Sequence, residues 1–476
     1  MRHRRRLFSL VFTVLLLLIA GGVAWLLLKG PEPVRVITPA VSRALGPVEL
    51  AFREMAADPA LAGAALAFCV VDDQGNVAYA SPLAGTAMAP ASALKTLVTG
   101  AALGVLGPEF RFETLLSTTA PPGADGVLKG DLVLVGAGDP TLSKPDLDRL
   151  AKNVAGGGLK RIEGRVRVDA SIFPHNPVSD HWNWGDLGNA YGAGSFGINV
   201  EHNQLLIRFD PGEKPGDAAT VAGATNALKD IEWINHVVTG PSGSGDQVVA
   251  FSEPYGRRIT LRGSVPLGEP GFQVQAANPD PPALAREWLA AALGREGIEI
   301  RDAEVVDPGD SADLTVLAVH RSAELKRIIG HLHRVSDNVE AQCLFLRIGR
   351  ELGREPGEAV REYWTQAGVN FVGLRLLDGS GLARANMIRP LDLVAVNHAA
   401  KSGAQGEIFR ESLAACDGGQ VRSKLGGMSG VRTEVGFFQI ADGSERTFTL
   451  MANGLGRGSD LRRHRAALLA AAQGGE

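Results

Sequence analysis

The middle of the chain, from about Phe112 to Asp313, has a different sequence pattern from the two ends. Turn-forming clusters such as APPGADG, DPGEKPGD and GPSGSGDQ recur there, and short apolar runs such as DLVLVG, QLLIRF and RRITLRG lie between them. Runs of this length between Gly, Pro, Asp and Ser clusters predict β-strands joined by turns. Helical patterns are few, the clearest being PPALAREWLAAALGREG at residues 281–297. We therefore predict a β-rich region over residues 113–313, made of one or two subdomains.

The two ends of the chain share a mixed character that the middle lacks. ALAFCVVDDQGNVAYA (residues 65–80) predicts a β-hairpin, and a helical pattern follows from Ala93 to Leu106. After Leu314 the apolar residues return to helical spacing, and strand patterns reappear in TEVGFFQI and TFTLMANGL. These patterns predict one α/β domain, formed by residues 40–112 and 314–476, which the β-rich region interrupts as a long insert.

The N-terminus carries a targeting signal. MRHRRR is strongly basic, and residues 7–28 contain no charged side chain. This uncharged segment is long enough to span a bilayer. A basic flank keeps the N-terminus in the cytoplasm, so we expect the rest of the chain to be periplasmic and tethered to the inner membrane. The alternative is a cleaved signal peptide, cut after Ala24 in GVA. Because the apolar run continues through WLLL, we favour the uncleaved transmembrane anchor.

Charge and cysteine content exclude several functions. The formal net charge is −4, from 48 basic and 52 acidic residues, and without a basic patch we expect no nucleic-acid partner. Cys69, Cys343 and Cys416 form no C-x-x-C pair and lie near no histidine cluster, so we expect no metal site. One disulfide remains open, with its pairing unassigned. GAGSFG (residues 192–197) leads into a strand pattern rather than a helix, so we expect no dinucleotide cofactor, and no cofactor at all.

Ser92 and Lys95, in ASALKTLVTG, form the only S-x-x-K of the chain. Residues three apart on a helix share a face, so the lysine amine can reach the serine hydroxyl. A serine becomes a good nucleophile when a neighbouring base removes its proton, and a lysine serves as that base when burial or nearby charge lowers its pKa. The alternative is an N-capping serine beside a solvated lysine, which this pair alone favours.

Two further motifs follow in the sequence. Ser336, Asp337 and Asn338 form the only S-x-N, which alone is typical of a helix N-cap. A third motif, K-[ST]-G on a strand, has two candidates. KSG at residues 401–403 fits by letter but ends a helical run, whereas KLG at residues 424–426 fits less well but precedes a convincing strand. We choose Lys424, because its structural context is the appropriate one.

S-x-x-K, S-D-N and K-T-G in this order mark penicillin-binding proteins and class A β-lactamases. This chain also contains LGPEFRFET, GDLVLVGAGDPTL, HRVSDN, DGSGLARAN and KLGGMSGV. With these stretches it resembles the class C low-molecular-mass penicillin-binding proteins, which are D-alanyl-D-alanine carboxypeptidases with endopeptidase activity. The resemblance runs from about residue 45 to 460. It implies an α/β penicillin-binding (serine β-lactamase-like) domain, peptidoglycan stem peptides as substrates and β-lactams as inhibitors.

The resemblance also implies a role for each motif residue. Ser92 would be the acylated nucleophile, Lys95 its base, and Ser336 a proton relay. Asn338 would bind the substrate amide, and Lys424 would bind the substrate carboxylate. The backbone N–H of Gly427, together with that of Ser92, would bind the oxyanion. A backbone donor tolerates any side chain, so glycine is acceptable at residue 427.

Leu425 departs from the family pattern, which has Thr or Ser after the strand lysine. The family's hydroxyl hydrogen-bonds the terminal carboxylate of the substrate, and a hydrogen bond to a charged group contributes roughly 1.5–3 kcal/mol. Its loss predicts weaker carboxypeptidase activity, with less effect on endopeptidase cleavage. One alternative is therefore a catalytically impaired homologue that binds peptidoglycan or a partner. The other is a β-lactamase, against which the long insert argues.

Overall fold

The computed structural model describes residues 46–301, 314–441 and 443–474. The predicted membrane anchor at residues 7–28, with its alternative cleavage site, lies outside these ranges. No helix within the described ranges is long and apolar enough to cross a membrane.

The N-terminal segment forms a helix, a hairpin and a second helix, in this order: α1 (Pro47–Ala56), β1 (Ala65–Val71), β2 (Val77–Ala80) and α2 (Lys95–Leu106). β1 and β2 pair antiparallel, as the sequence predicted for residues 65–80. Asp72 closes the connecting turn, because its Oδ1 accepts hydrogen bonds from the backbone N–H groups of Gln74 and Asn76. A single 3₁₀ turn, Ala91–Leu94, leads directly into α2.

The region between β3 and β14 contains most of the strands and two helices: β3 (Glu113–Thr118), β4 (Val127–Leu128), β5 (Leu132–Val135), α3 (Lys144–Gly156), β6 (Arg161–Ile162), β7 (Val166–Asp169), β8 (Gln204–Asp210), β9 (Thr220–Thr225), β10 (Glu232–Gly240), β11 (Val249–Phe251), β12 (Arg258–Pro266), β13 (Phe272–Ala277), α4 (Pro281–Arg295) and β14 (Glu299–Ile300). The predicted runs DLVLVG, QLLIRF and RRITLRG correspond to β5, β8 and β12.

The C-terminal segment is largely helical before it returns to strands: β15 (Thr315–Arg321), α5 (Leu325–Val335), α6 (Asn338–Leu352), α7 (Pro356–Gln366), α8 (Pro390–Ser402), α9 (Gly406–Ser412), β16 (Ala414–Cys416), β17 (Val421–Met428), β18 (Val431–Gln439), β19 (Glu445–Asn453) and α10 (Arg462–Gln473).

One antiparallel sheet joins the two ends of the chain. Its strand order is β16-β17-β18-β19-β1-β2, and β1 pairs along its whole length with β19, from Ala65 opposite Asn453 to Val71 opposite Thr447. Helices cover both faces. Residues of α2 and α5–α9 form the main apolar core on one face, and Phe52 of α1 packs with Leu468 of α10 on the other. The mixed α/β architecture predicted for the two ends is therefore present as one layered unit.

The insert contains two separate apolar cores. The first lies around Leu132, Leu150 and Leu289, between α3, α4 and a sheet of order β15-β3-β5-β7. The second lies around Ile207 and Leu261, between two three-stranded sheets of order β10-β12-β11 and β13-β8-β9. A third three-stranded sheet, of order β14-β6-β4, adds Leu128 and Ile162 to the first core. β15 falls on the C-terminal side of the predicted boundary at residue 314, yet it pairs with β3. This four-stranded sheet thus combines three strands of the insert with one strand from beyond the predicted boundary.

Helix α2 passes through the centre of the α/β unit. Every residue from Lys95 to Leu103 is buried, so this helix has no solvent-facing side. Its first residue lies where β17 and β18 pack on the 3₁₀ turn. The sequence ALKTLVTGAALG, with one charged side chain among apolar and small residues, suits a buried helix and places that one charge at its N-terminal end.

Candidate active site

Ser92 and Lys95 meet at the start of α2. Ser92 lies in the 3₁₀ turn Ala91–Leu94, and Lys95 is the first residue of the helix. The Nζ atom of Lys95 lies 2.8 Å from the Oγ atom of Ser92, which is hydrogen-bond distance. The alternative of a solvated lysine is wrong, because the Lys95 side chain is fully buried.

The turn that carries Ser92 is held tightly by the central sheet. Thr433 of β18 donates a hydrogen bond of 2.6 Å to the carbonyl oxygen of Pro90, and the amide side chain of Asn453 pairs with both backbone groups of Ala89. A Cβ atom on Gly426 of β17 would lie 2.7 Å from the backbone nitrogen of Ala93. Only glycine therefore allows β17 to approach the turn that carries Ser92 so closely.

The Nζ atom of Lys95 lies in a buried site among three oxygen acceptors. Besides Ser92, its Nζ atom lies 2.6 Å from Oδ1 of Asn338 and 2.8 Å from the carbonyl oxygen of Ser380, both neutral acceptors. Burial holds the pKa of Lys95 well below its ordinary range, and the positive charge of Lys424 lowers it further. A neutral amine has two N–H donors and one lone pair. In the structure Nζ donates to Ser92 Oγ as well as to these two carbonyl oxygens. In the neutral amine the two carbonyl acceptors would take both donors, and the lone pair would face the Ser92 hydroxyl.

The S-x-N motif lies at the junction of α5 and α6. Its last residue, Asn338, is 243 residues from Lys95 in the sequence. Ser336 adopts a left-handed conformation with φ of +63°, and Asp337 caps α6 by accepting a hydrogen bond from the N–H of Glu340. The Nδ2 group of Asn338 donates to the carbonyl oxygen of Tyr191, a residue of the insert. The insert therefore contributes directly to the geometry of the motif.

Lys424 reaches the same cluster from β17. Its Nζ atom donates to Ser336 Oγ over 2.9 Å and to the carbonyl oxygen of Leu425 over 2.7 Å. Burial lowers the pKa of Lys424 to about 8. The competing KSG lies elsewhere: Lys401, at the end of α8, lies 3.5 Å from the carboxylate of Glu445 and over the ring of Phe437. The structure thus brings Lys424, and not Lys401, to Ser92, Lys95, Ser336 and Asn338.

β17 presents a free edge beside these side chains. β16 pairs only with Val421–Ser423, and no described strand pairs with β17 on that side beyond this point. Leu425 lies on the open part of the strand with 63% of its surface exposed. Gly427, opposite Arg432 in the ladder, follows two residues later. An extended peptide can add to such an edge through backbone hydrogen bonds.

Two acceptors of the site are backbone carbonyls that sequence analysis missed, those of Ser380 and Tyr191. A carbonyl leaves no trace in the amino-acid pattern, although DGSG, which contains Ser380, is part of the family resemblance. Asp378 orders this loop, since its carboxylate accepts hydrogen bonds from the backbone of Gly381 and Ala383 and from Nε1 of Trp182.

The cysteines take no part in the site. Cys69 and Cys343 are buried, Cys416 is partly buried, and all three are free thiols. The disulfide left open by the sequence therefore does not form between them. Within the described residues no group of three or more His, Cys, Asp or Glu side chains is arranged to hold a metal ion.

The pattern that defines the D-Ala-D-Ala carboxypeptidase 3 (S13) family matches residues 49–473. The chain belongs to this family. It is similar to the D-alanyl-D-alanine carboxypeptidase of Actinomadura sp. (strain R39), with 32% identity over 83% of this chain and 79% of the relative. It is also similar to the D-alanyl-D-alanine carboxypeptidase DacB of Haemophilus influenzae, with 25% identity over 83% of this chain and 87% of the relative.

The S13 fold extends over nearly all described residues. Penicillin-binding protein 4 of Haemophilus influenzae superposes with a TM-score of 0.77 at 22% identity, covering 89% of this chain and 98% of that one. The predicted resemblance to class C low-molecular-mass penicillin-binding proteins is thus confirmed. The protein is a serine-type D-alanyl-D-alanine carboxypeptidase of peptidoglycan metabolism. Nothing in these comparisons supports the alternative of an impaired homologue.

Proposed function

We propose that Ser92 is the nucleophile of this enzyme and that it cleaves stem peptides through an acyl-enzyme, as a carboxypeptidase on D-alanyl-D-alanine ends and as an endopeptidase on cross-links. One observation carries the proposal: a fully buried lysine, with its pKa held far below the usual value, lies 2.8 Å from the Ser92 hydroxyl. A lysine in that state is a general base at neutral pH.

In the acylation step, Lys95 takes the hydroxyl proton as Ser92 Oγ attacks the carbonyl carbon of the penultimate residue. The backbone N–H groups of Ser92 and Gly427 stabilise the resulting oxyanion. The C–N bond then breaks, and the leaving amine receives a proton that passes from Lys95 by way of Ser336. The hydroxyl of Ser336 is held in the site by Lys424, whose Nζ atom donates to its Oγ over 2.9 Å.

In the deacylation step, water adds to the ester carbonyl while Lys95 again accepts a proton. The Ser92–carbonyl bond breaks, the proton returns to Ser92 Oγ, and the shortened peptide leaves with a new carboxylate. Each proton taken is returned, so the enzyme ends the cycle in its starting state. Throughout, Asn338 orients the substrate amide, and Lys424 supplies positive charge for the substrate carboxylate.

The substrate peptide would lie along the open edge of β17. Residues 424–428 offer their backbone groups there, and Lys424 stands at the start of this stretch. The structure of the Haemophilus influenzae protein in complex with a β-lactam supports the further proposal that β-lactams acylate Ser92. We also propose the three-part division of the chain: a catalytic domain of residues 40–112 and 314–476, the insert at 113–313, and an inner-membrane anchor at 7–28 that places the enzyme in the periplasm.

Labelling with a fluorescent penicillin tests the nucleophile. We expect a covalent adduct on the peptide that contains Ser92, identified by mass spectrometry, and no labelling of Ser92→Ala. Ser402→Ala is the matched control, because Ser402 belongs to the KSG that the site does not use, and it should label like the wild type. An adduct on another serine would refute the assignment. An adduct that is released by hydrolysis within seconds would instead favour the β-lactamase alternative.

A further inference from the structure

A strained turn of the insert faces the S-x-N motif. Glu201, His202 and Asn203 have φ angles of +49°, +52° and +56°, so three successive residues with Cβ atoms adopt the left-handed conformation. Such backbone persists only where the surrounding structure enforces it. An enforced strained turn that carries a histidine to an active-site motif calls for a functional explanation.

The surrounding contacts enforce this turn from several directions. The buried side chain of Asn203 accepts a hydrogen bond from the N–H of Val200 and donates to the carbonyl oxygen of Gly194. Glu201 Oε1 accepts a hydrogen bond from the backbone N–H of Lys144, the first residue of α3. These contacts fix the backbone from which the His202 side chain extends.

The His202 ring meets the central residue of the S-x-N motif. Its Nδ1 atom lies 3.1 Å from Oδ2 of Asp337, whose side chain is 8% exposed. Asp337 separates Ser336 from Asn338, and its other oxygen caps α6. The contact from His202 thus holds the carboxylate between two residues that touch Lys424 and Lys95.

We propose that His202 is a positioning residue for acylation: its imidazolium pairs with Asp337, fixes the S-x-N turn, and screens the Asp337 carboxylate from Lys95. This inference rests on the proposed function of Ser92 and Lys95 and adds a residue of the insert to their mechanism. An unscreened carboxylate near Lys95 would stabilise the protonated amine, which cannot act as a base.

The charges around the pair support this assignment. Burial opposes ionisation of Asp337, but the ion-pair contact with His202, the N–H of Glu340 and the charge of Lys95 together outweigh it and lower the Asp337 pKa. The ion-pair contact with Asp337 raises the pKa of His202 against the effect of burial, and the nearby carboxylates of Glu340 and Glu201 raise it further. The negative charges of Asp378 and Asp337 in turn act to raise the pKa of Lys95 against the larger effects of burial and Lys424.

His331 of α5 offers a matched comparison. Its ring centre lies 5.5 Å from that of His202, and its Nδ1 atom lies 2.8 Å from Glu340 Oε1. It has no direct contact with Asp337 among the described hydrogen bonds and ion pairs. Its removal therefore changes the same charge cluster without removing the partner of Asp337.

The test measures the second-order rate constant of penicillin acylation from pH 5 to pH 10, for the wild type and four variants. The variants are His202→Asn, His331→Asn, Asp337→Asn and the double variant His202→Asn/Asp337→Asn. Asparagine suits residue 202 because it tolerates left-handed backbone, and it suits residue 337 because it is a good N-cap. The number of folded sites is counted by the stoichiometry of labelling, so that partial misfolding is not read as slow chemistry.

In the pH profile of the acylation rate constant, the acid limb marks the pH below which Lys95 is protonated. We expect His202→Asn to move this limb upward by about one pH unit. Below the limb this slows acylation about tenfold. His331→Asn should move the limb much less. In the Asp337→Asn background the His202 substitution should leave the limb in place, because the charge to be screened is gone.

An unchanged limb in His202→Asn, with acylation within about twofold of the wild type, would overturn the inference. So would a shift that persists in the Asp337→Asn background, since it would show that His202 acts through another group. A wild type that penicillin does not modify at Ser92 overturns the proposed function and this inference together. Labelling at Ser92 with an unshifted His202→Asn profile overturns the inference alone.

Discussion

Replacement of Leu425 by threonine should increase carboxypeptidase activity. Leu425 follows Lys424 on the open part of β17, where it is 63% exposed, and it occupies the position at which related enzymes have a hydroxyl. A threonine there would donate a hydrogen bond to the terminal carboxylate of a bound D-alanyl-D-alanine end. The leucine side chain cannot make this bond.

The expected size follows from two opposing effects. A hydrogen bond to a charged group contributes roughly 1.5–3 kcal/mol, which corresponds to about a tenfold to hundredfold gain in kcat/KM. Full burial of a leucine contributes about 1.5–3 kcal/mol, and since Leu425 is 63% exposed, its loss costs about 1 kcal/mol or less. Threonine also suits a strand. We therefore expect a gain of about tenfold or more, with little change in stability.

The assay compares kcat/KM for a peptide that ends in D-alanyl-D-alanine with kcat/KM for a cross-linked muropeptide. Leu425→Val is the matched control, because valine has the shape of threonine without its hydroxyl. The threonine variant should gain on the D-alanyl-D-alanine end, the valine variant should not, and the cross-link should respond less, since its scissile bond lacks the adjacent free carboxylate.

Two results would refute this reasoning. Unchanged carboxypeptidase kinetics in Leu425→Thr would mean that another group already binds the carboxylate. Equal gains with threonine and valine, or equal gains on both substrates, would mean that leucine distorts the strand edge and that the hydroxyl is not the cause.

Two further predictions concern charge and topology. Lys424, with a pKa of about 8, is protonated below this pH and neutral above it, so kcat/KM for a substrate with a free carboxylate should fall as pH rises through about 8. Lys424→Arg should shift this alkaline limb of the pH profile beyond pH 10, because arginine keeps its charge. A limb that does not move would show that another group titrates there. The basic flank and the uncharged residues 7–28 predict an intact N-terminus in membrane fractions, and a soluble mature chain that begins at Trp25 would contradict the anchor.

Local parts of the structure could be predicted from the sequence. The β1–β2 hairpin, helix α4 and the strands β18 and β19 follow from apolar period and turn residues, which act over a few positions. β17, which carries Lys424, was not predicted. Ser92 and Lys95 are also a local pair, because three residues of helical backbone suffice to bring them together. The choice of Lys424 over Lys401 rested on the neighbours of each lysine in sequence, a strand in one case and a helix end in the other, and it is Lys424 that contacts Ser336.

The order of the three motifs indicated the family. S-x-x-K, S-D-N and KLG are recognisable in the sequence although a long insert lies between the first two. The sequence alone left the protonation state of Lys95 open. Burial lowers the pKa of Lys95, and burial depends on the whole environment of α2. The same S-x-x-K sequence in a surface helix would contain a lysine with an ordinary pKa.

Only the tertiary structure brought the distant groups together. The carbonyl oxygens of Ser380 and Tyr191 bind Lys95 and Asn338, and any residue type supplies a carbonyl, so no pattern could reveal them. β15 pairs with β3 across the full length of the insert, and His202 reaches Asp337 from the insert, both through contacts between residues far apart in the chain. Sequence patterns report interactions within a few turns or strands, whereas these contacts depend on how the layers pack, and packing sets which carbonyl, charge and strand edge surround Ser92.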